Sequence, residues 1–224
     1  MIKRFIKRLM QGKYHGLNGL DRKLERYVDY DGGFYVELGA NDGVTQSNSL
    51  YFEKHRNWSG LLVEPSPHNF LKCSENRSPR NHILCAACVS FDYKPEFVRM
   101  TYSNLMSTAQ GLQTDIADPV AHARSGRQFL RPREPVFDFG ALARPLNDLL
   151  VESQAPKTID FLSLDVEGAE LEVLKGIDHE AYRFKYILVE CRALPDMQAY
   201  LSSQRYRHVE NFSAQDYLFT SVAP

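Results

Sequence analysis

The sequence predicts an α/β chain: an open, Rossmann-like sheet with helices on both faces. Two observations carry that expectation. Short apolar runs such as Phe34–Leu38, Gly60–Val63 and Ile159–Leu164 alternate with helix-patterned stretches, as buried parallel strands joined by crossover helices do. The first run closes in Glu37-Leu38-Gly39-Ala40-Asn41-Asp42-Gly43, a tight and acidic turn. Ligands of doubly wound sheets bind beyond the carboxyl ends of the strands, where such a turn sits.

The elements follow in order. Ile2, Phe5, Ile6 and Leu9 fall at helical spacing within Met1–Lys13, opposite Lys3, Arg4, Lys7 and Arg8. That pattern suits a helix packed on the domain or a weak basic anchor on an anionic membrane surface; it lacks the apolar core and cleavage site of a secretory signal. A second helix is expected at Leu20, Leu24, Tyr27 and Val28, which places N-terminal helices in residues 1–30. Phe34–Leu38 is the first strand, and Gln46–Lys54 reads as a helix with Thr45 as its cap. Gly60–Val63 is the second strand. A helix follows from Pro67 to Ser74, with proline at a tolerated early position. Ile83–Val89 is the third strand and Ile159–Leu164 the fourth. The helix after the fourth strand carries Val166, Ala169, Val173, Leu174 and Ile177 on one face. Tyr186–Val189 is the fifth strand and Met197–Gln204 a helix. Arg207–Glu210 and Tyr217–Thr220 close the sheet, for seven strands in all.

Residues 91–157 break this rhythm. They hold Arg124, Arg127, Arg131 and Arg133 among Pro, Gly and Ser, with a short helix expected at Arg144–Leu150. An irregular insertion of this length inside a domain reads as a functional cap or a solvated loop. It stands just before strand four, and a substrate cap is one of its two readings.

Composition narrows the function. The 224 residues carry a net charge of -1, with 43% hydrophobic and 25% charged side chains, which suits one α/β domain over residues 1–224. No basic stripe with interleaved aromatics marks a nucleic-acid binder. No apolar run approaches the ~20 residues of a transmembrane helix. Cys73, Cys85, Cys88 and Cys191 form no disulfide framework and fit a reducing, cytoplasmic setting. Cys85 and Cys88 fall within one apparent strand with no partner pair at zinc spacing, so they read as core residues.

The turn itself lacks the middle glycine of the dinucleotide fingerprint. Glu37 and Asp42 would repel a pyrophosphate there, but they suit a donor bearing an ammonium and a sulfonium. Glu64, ending the second strand, stands about 20 residues on, where an acid accepts both ribose hydroxyls.

The runs Val36-Glu-Leu-Gly-Ala-Asn-Asp-Gly-Val-Thr-Gln-Ser-Asn-Ser49, Gly60-Leu-Leu-Val-Glu-Pro-Ser-Pro67 and Ile159-Asp-Phe-Leu-Ser-Leu-Asp-Val-Glu-Gly-Ala-Glu-Leu-Glu-Val-Leu-Lys-Gly176 resemble the FkbM family of S-adenosylmethionine-dependent methyltransferases. The resemblance covers about residues 33–91 and 145–192 and rests most on Asp165-Val-Glu-Gly-Ala-Glu170. It implies a class I methyltransferase fold of seven strands with the last antiparallel. It also implies O-methylation, commonly of sugars, glycans or natural-product hydroxyls. The family's cofactor motifs carry over to Glu37, Gly39, Asn41, Asp42, Gly43, Thr45, Glu64 and Asp165. Ala40 and Pro65 lie within the same motifs, and Ala86 and Ala87, ending strand three, are placed near the adenine by position. Asp165, ending strand four, and Glu190, ending strand five, would both face the transferable methyl. Either one takes the proton of the acceptor hydroxyl, or the pair holds a divalent cation such as magnesium that acidifies it. A third reading leaves Asp165 orienting the cofactor and pairs Glu190 with Arg192. Two further functions compete with O-methylation: methylation of a protein or nitrogen acceptor, and a non-catalytic S-adenosylmethionine-binding module.

Overall fold

The computed structural model describes residues 12–222, so the helix expected over Met1–Lys13 lies almost wholly outside the described residues. The seven-stranded sheet is present. Its strands are β1 (Phe34–Leu38), β2 (Ser59–Val63), β3 (His82–Leu84), β8 (Thr158–Leu164), β9 (Arg183–Glu190), β10 (Tyr206–Asn211) and β11 (Asp216–Ser221), in the order β10-β11-β9-β8-β1-β2-β3. The strands β3, β2, β1, β8 and β9 run parallel, and β11 is antiparallel to both β9 and β10. The order reverses between β1 and β8, so the tips of these two strands flank the crevice of a doubly wound sheet.

Alternation along the strands feeds two cores, because successive side chains point to opposite faces. Val36, Leu38, Leu61, Val63, Leu162, Leu164, Ile187 and Val189 join one cluster. It is covered by α5 (Leu146–Glu152), α6 (Glu170–Leu174) and α7 (Leu194–Ser203). Tyr35, Leu62, Phe161, Leu188 and Leu218 enter the other, against α1 (Leu20–Leu24), α2 (Leu50–His55) and α3 (Pro67–Asn76). Trp58 is fully buried there, its ring 5.2 Å from Phe52 and its indole N–H donating to the Tyr30 carbonyl.

Three expectations are corrected. The helix expected over Gln46–Lys54 begins only at Leu50, because Gln46 sits at a left-handed φ of 60°. Thr45 does not cap it. Its N–H and hydroxyl both bond Asp42, while the Ser47 hydroxyl accepts from the Leu50 N–H. The expected third strand is two strands: β3 stays in the main sheet, whereas β4 (Ala87–Val89) leaves it after Cys85 and Ala86. The helix expected from Val166 shrinks to α6, since Glu167 and Gly168 take φ values of 58° and 104°.

The insertion is also built rather than irregular. β4, β7 (Phe137–Pro145), β5 (Phe97–Tyr102) and β6 (Thr108–Gln110) form a second sheet in that order. Val98, Met100, Ala109 and Ala141 give it a core of its own, shared with Ala87 and Val89. A helix, α4 (Pro119–Ser125), capped by Asp118 through the Ala121 N–H, completes the cap. The four cysteines are free, and Cys88 is packed in the main core. Among the described residues, no helix is long and apolar enough to cross a membrane.

Candidate active site

A cavity of about 270 Å³ opens over the tips of β1, β2, β8 and β9. The turn after β1 forms its floor. Gly39 takes a φ of 77°, and a Cβ there would lie 1.9 Å from the Asp165 carbonyl oxygen, so only glycine lets the two strand tips meet. The Gly39 and Ala40 N–H groups both donate to the Val63 carbonyl. Asn41, at a φ of 47°, then aims its own N–H at Glu64. Asparagine tolerates this left-handed conformation better than most residues.

Glu64 is buried, one carboxylate oxygen accepting from the Asn41 N–H at 2.8 Å and the other from the Ser66 N–H at 2.9 Å. Burial dominates over these two bonds and raises its pKa to about 7. Glu37 is occupied differently. Its carboxylate accepts from the Ser47 and Ser49 hydroxyls, the Asn48 N–H and the guanidinium of Arg77, which is itself fully buried. The polar run Ser47-Asn-Ser49 therefore wraps an acid rather than starting a helix, which is why α2 begins where it does.

A second, apolar slot of about 30 Å³ adjoins the cavity and shares Leu38, Gly39, Pro65 and Val166 with it. Ala86 and Ala87 line it from the core side, and Met100, Ala109 and Leu112 from the cap. The break between β3 and β4 is what opens it, because it falls beside these two alanines.

Asp165 and Glu190 end the neighbouring strands β8 and β9 and lie close enough to share a hydrogen bond. Asp165 is enclosed by protein on its inner sides but open to solvent through the cavity. Desolvation, then the charges of Glu190, Glu167 and Glu170, push its pKa well up. Burial and Glu167 raise Glu190 too, while the Asp165 hydrogen bond and Arg192 pull the other way. Two acids so placed cannot both ionise cheaply, so each opposes the other's ionisation. The Arg192 guanidinium stands 3.7 Å from Glu190 and 3.4 Å from Glu167. Glu167 also meets His122 Nε2 of the cap at 2.7 Å. Glu170, the last acid of the motif, points inward and accepts from the Val166 and Gly168 N–H groups, so it fixes the loop.

Of the residues singled out from the sequence, Glu37, Gly39, Ala40, Asn41, Thr45, Glu64, Pro65, Asp165 and Glu190 line the main cavity, with Ala86 and Ala87 on the slot. Asp42 and Gly43 line neither. Asp42 accepts from the Val44 and Thr45 N–H groups, and Gly43 packs against Arg77 and Cys73. Sequence reasoning missed Ser47, Asn48 and Ser163 of the core. It also missed the cap's contribution of Asn104, Leu105, Met106, Ser107, His122 and Phe129. The Asn41 side-chain amide donates to Asn104 at 3.0 Å, which ties cap to turn. Glu167 had a signal, two residues past Asp165 in the same motif; His122 had none.

Comparison with known proteins agrees with this architecture. The family model described as "Methyltransferase FkbM domain" matches residues 37–219. The curated protein "Methyltransferase 1" of Beauveria bassiana (strain ARSEF 2860) is 24% identical over 153 residues, covering 67% of this chain and 60% of that protein. The crystal structure of Methyltransferase FkbM from Methylobacillus flagellatus KT superposes with a TM-score of 0.50 at 16% identity, covering 85% of this chain and 44% of the other. This chain thus spans less than two thirds of the length of either relative. The family model covers most of the sequence, including every strand tip at the cavity, and the chain belongs to the FkbM methyltransferase family.

Proposed function

We propose that this chain transfers a methyl group from S-adenosylmethionine to a hydroxyl oxygen of a sugar, glycan or natural-product acceptor. The observation that carries the reading is the pairing of a ribose-type acid, Glu64, with an adjoining apolar slot on one side and the facing acids Asp165 and Glu190 on the other. The residues present fit the donor. Glu64 keeps lone pairs free for two ribose hydroxyls beyond its bonds from Asn41 and Ser66. Ala86, Ala87, Met100, Ala109 and Leu112 give a flat apolar wall for an adenine. The acids of the cavity favour a cationic ligand over a pyrophosphate.

When bound, S-adenosylmethionine supplies an electrophilic methyl on a sulfonium. The chain's task is to place an oxygen in line with it and to remove that oxygen's proton. Asp165 and Glu190 stand where the proton would go. A cation bound beside them favours the ionised form, which leaves a carboxylate to accept the hydroxyl hydrogen. Among the described residues no group of three metal-ligand side chains gathers, and the Arg192 cation flanks Glu190, so the proton is assigned to the carboxylates themselves.

Calorimetric titration tests the donor: S-adenosylmethionine or S-adenosylhomocysteine binds, and neither NAD nor ATP displaces it. Binding of NAD or ATP in their place overturns the reading. Transfer of labelled methyl to hydroxylated acceptors, lost when the hydroxyls are blocked, tests the oxygen.

A further inference from the structure

We propose that the acceptor carries a phosphate group, held at the cavity mouth by the cap's arginines while its hydroxyl reaches Asp165 and Glu190; this rests on the methyl-transfer reading above. Residues 122–133 contain Arg124, Arg127, Arg131 and Arg133 and no acid. All four arginines are exposed, and among the described residues none lies within ion-pair distance of a carboxylate. Four unmatched cations in so short a span are unusual for a chain of net charge -1.

Their setting connects them to the site. His122 and Phe129, from the same segment, line the main cavity. The Phe129 carbonyl accepts from the Asn104 side-chain amide at 3.0 Å, and Asn104 in turn accepts from Asn41 of the cofactor turn. Glu134 holds the loop's far end, accepting from the Arg131 N–H at 2.8 Å and from the Tyr102 hydroxyl. Glu134, the acid that follows the cluster in the chain, is therefore consumed in fixing the loop's shape. Tyr102 lies within electrostatic reach of both Arg131 and Glu64, and Glu134 of Lys72 and His68 on the facing α3. Basic side chains of the cap and of α3 thus share the neighbourhood of Glu134.

The interior has the opposite sign, with Glu37, Glu64, Asp165, Glu167 and Glu190 on its walls. A phosphate is repelled from that interior and attracted to the rim, so it fixes which end of the acceptor enters. Guanidinium groups suit it, since their planar donors engage phosphate oxygens two at a time. Nucleotide-activated sugars and lipid-linked sugar phosphates share this chemistry.

The test uses the protein saturated with S-adenosylhomocysteine and titrates inorganic pyrophosphate by calorimetry. Pyrophosphate binds the wild type, more weakly at higher salt. The quadruple variant Arg124→Gln, Arg127→Gln, Arg131→Gln, Arg133→Gln loses at least about tenfold in affinity for it. The variant's affinity for S-adenosylhomocysteine is unchanged, which also shows that it is folded. Absence of pyrophosphate binding to the wild type, or equal binding to the variant, overturns the proposal. Failure of the wild type to bind S-adenosylhomocysteine instead overturns the functional reading beneath it. Flotation with phosphatidylcholine vesicles, with and without polyprenyl phosphate, separates the two sources. Retention only on the polyprenyl vesicles, released by pyrophosphate, assigns the lipid-linked class, and no retention assigns the soluble one.

Discussion

On the proposed reading Glu64 should make cofactor affinity depend on pH, in a direction and size that follow from its burial. Its carboxyl titrates at about 7 in the fold against 4.5 unperturbed, with desolvation the largest cause. The folded value lies above the unfolded one. Below about pH 4.5 both states are protonated and this group costs nothing. As pH climbs to 7 the unfolded chain ionises first, so the apoprotein loses stability, by about 3 kcal/mol once Glu64 is charged. Ribose hydroxyls are donors and favour the charged form. Affinity for S-adenosylhomocysteine should therefore rise with pH and level off above about 7. At pH 6 roughly a tenth of the carboxyl is ionised, so affinity should be about tenfold lower than at pH 8. Binding at pH 6.5 should release protons, visible as a heat that changes with the buffer's ionisation enthalpy. Glu64→Gln should bind weakly at every pH and lose the slope, which separates Glu64 from the Asp165–Glu190 pair. Equal wild-type affinity at pH 6 and 8, or a slope that survives in Glu64→Gln, refutes the argument.

Four other outcomes are expected. Arg77→Met strands Glu37 and Glu53 without their buried cation and should cost about 3–5 kcal/mol in urea unfolding at pH 7. Burial pushes Glu53 up and Arg77 more than reverses it, so the deficit should shrink as pH falls and the stranded acids take up protons. Gly39→Ala forces a side chain against the Asp165 carbonyl at a left-handed φ and should cost more than about 2 kcal/mol of stability, read from the denaturant midpoint. Ala109→Leu fills the apolar slot and should weaken S-adenosylhomocysteine binding about tenfold or more while circular dichroism stays unchanged. Asp165→Asn and Glu190→Gln should each slow methyl transfer by about 10²–10⁴-fold in single-turnover assays with cofactor bound; wild-type rates in both would remove the pair from the mechanism.

The main sheet was legible because each of its inner strands is an apolar run bounded by a turn, and the run lengths leave little choice of element. The site was legible in position but not in direction. Asp42 and Glu37 stand five residues apart on one turn, yet only Glu37 faces the cavity, because Asp42 is drawn back by the Val44 and Thr45 N–H groups. The break at Cys85 and Ala86 left no trace, since small apolar residues fit a continuous strand equally well. The cap was opaque for a different reason. Its sheet pairs β4 with β7 and β5 with β7 across about 35 to 56 residues, and its strands mix exposed aromatics with charges, so no local periodicity announces them. His122 reaches the cavity only because that sheet and α4 carry it there.

The acids of this cavity are chemically alike and differ only in surroundings, and that difference assigns their work. Glu37 is matched by a buried guanidinium and three further donors, so it anchors the turn and has little left to offer a reacting group. Glu64 has two backbone donors and no cation in contact, which leaves it poised near neutrality to respond to a ligand's hydroxyls. Asp165 and Glu190 face each other with Glu167 nearby, so each raises the other's proton affinity. Environments that push the proton affinities of similar groups apart separate anchor, ligand and base. A cationic donor is then more than a ligand that the acids tolerate. On the proposed reading its charge would favour the ionised form of the strand-tip pair, so removal of the acceptor's proton should follow donor binding rather than precede it.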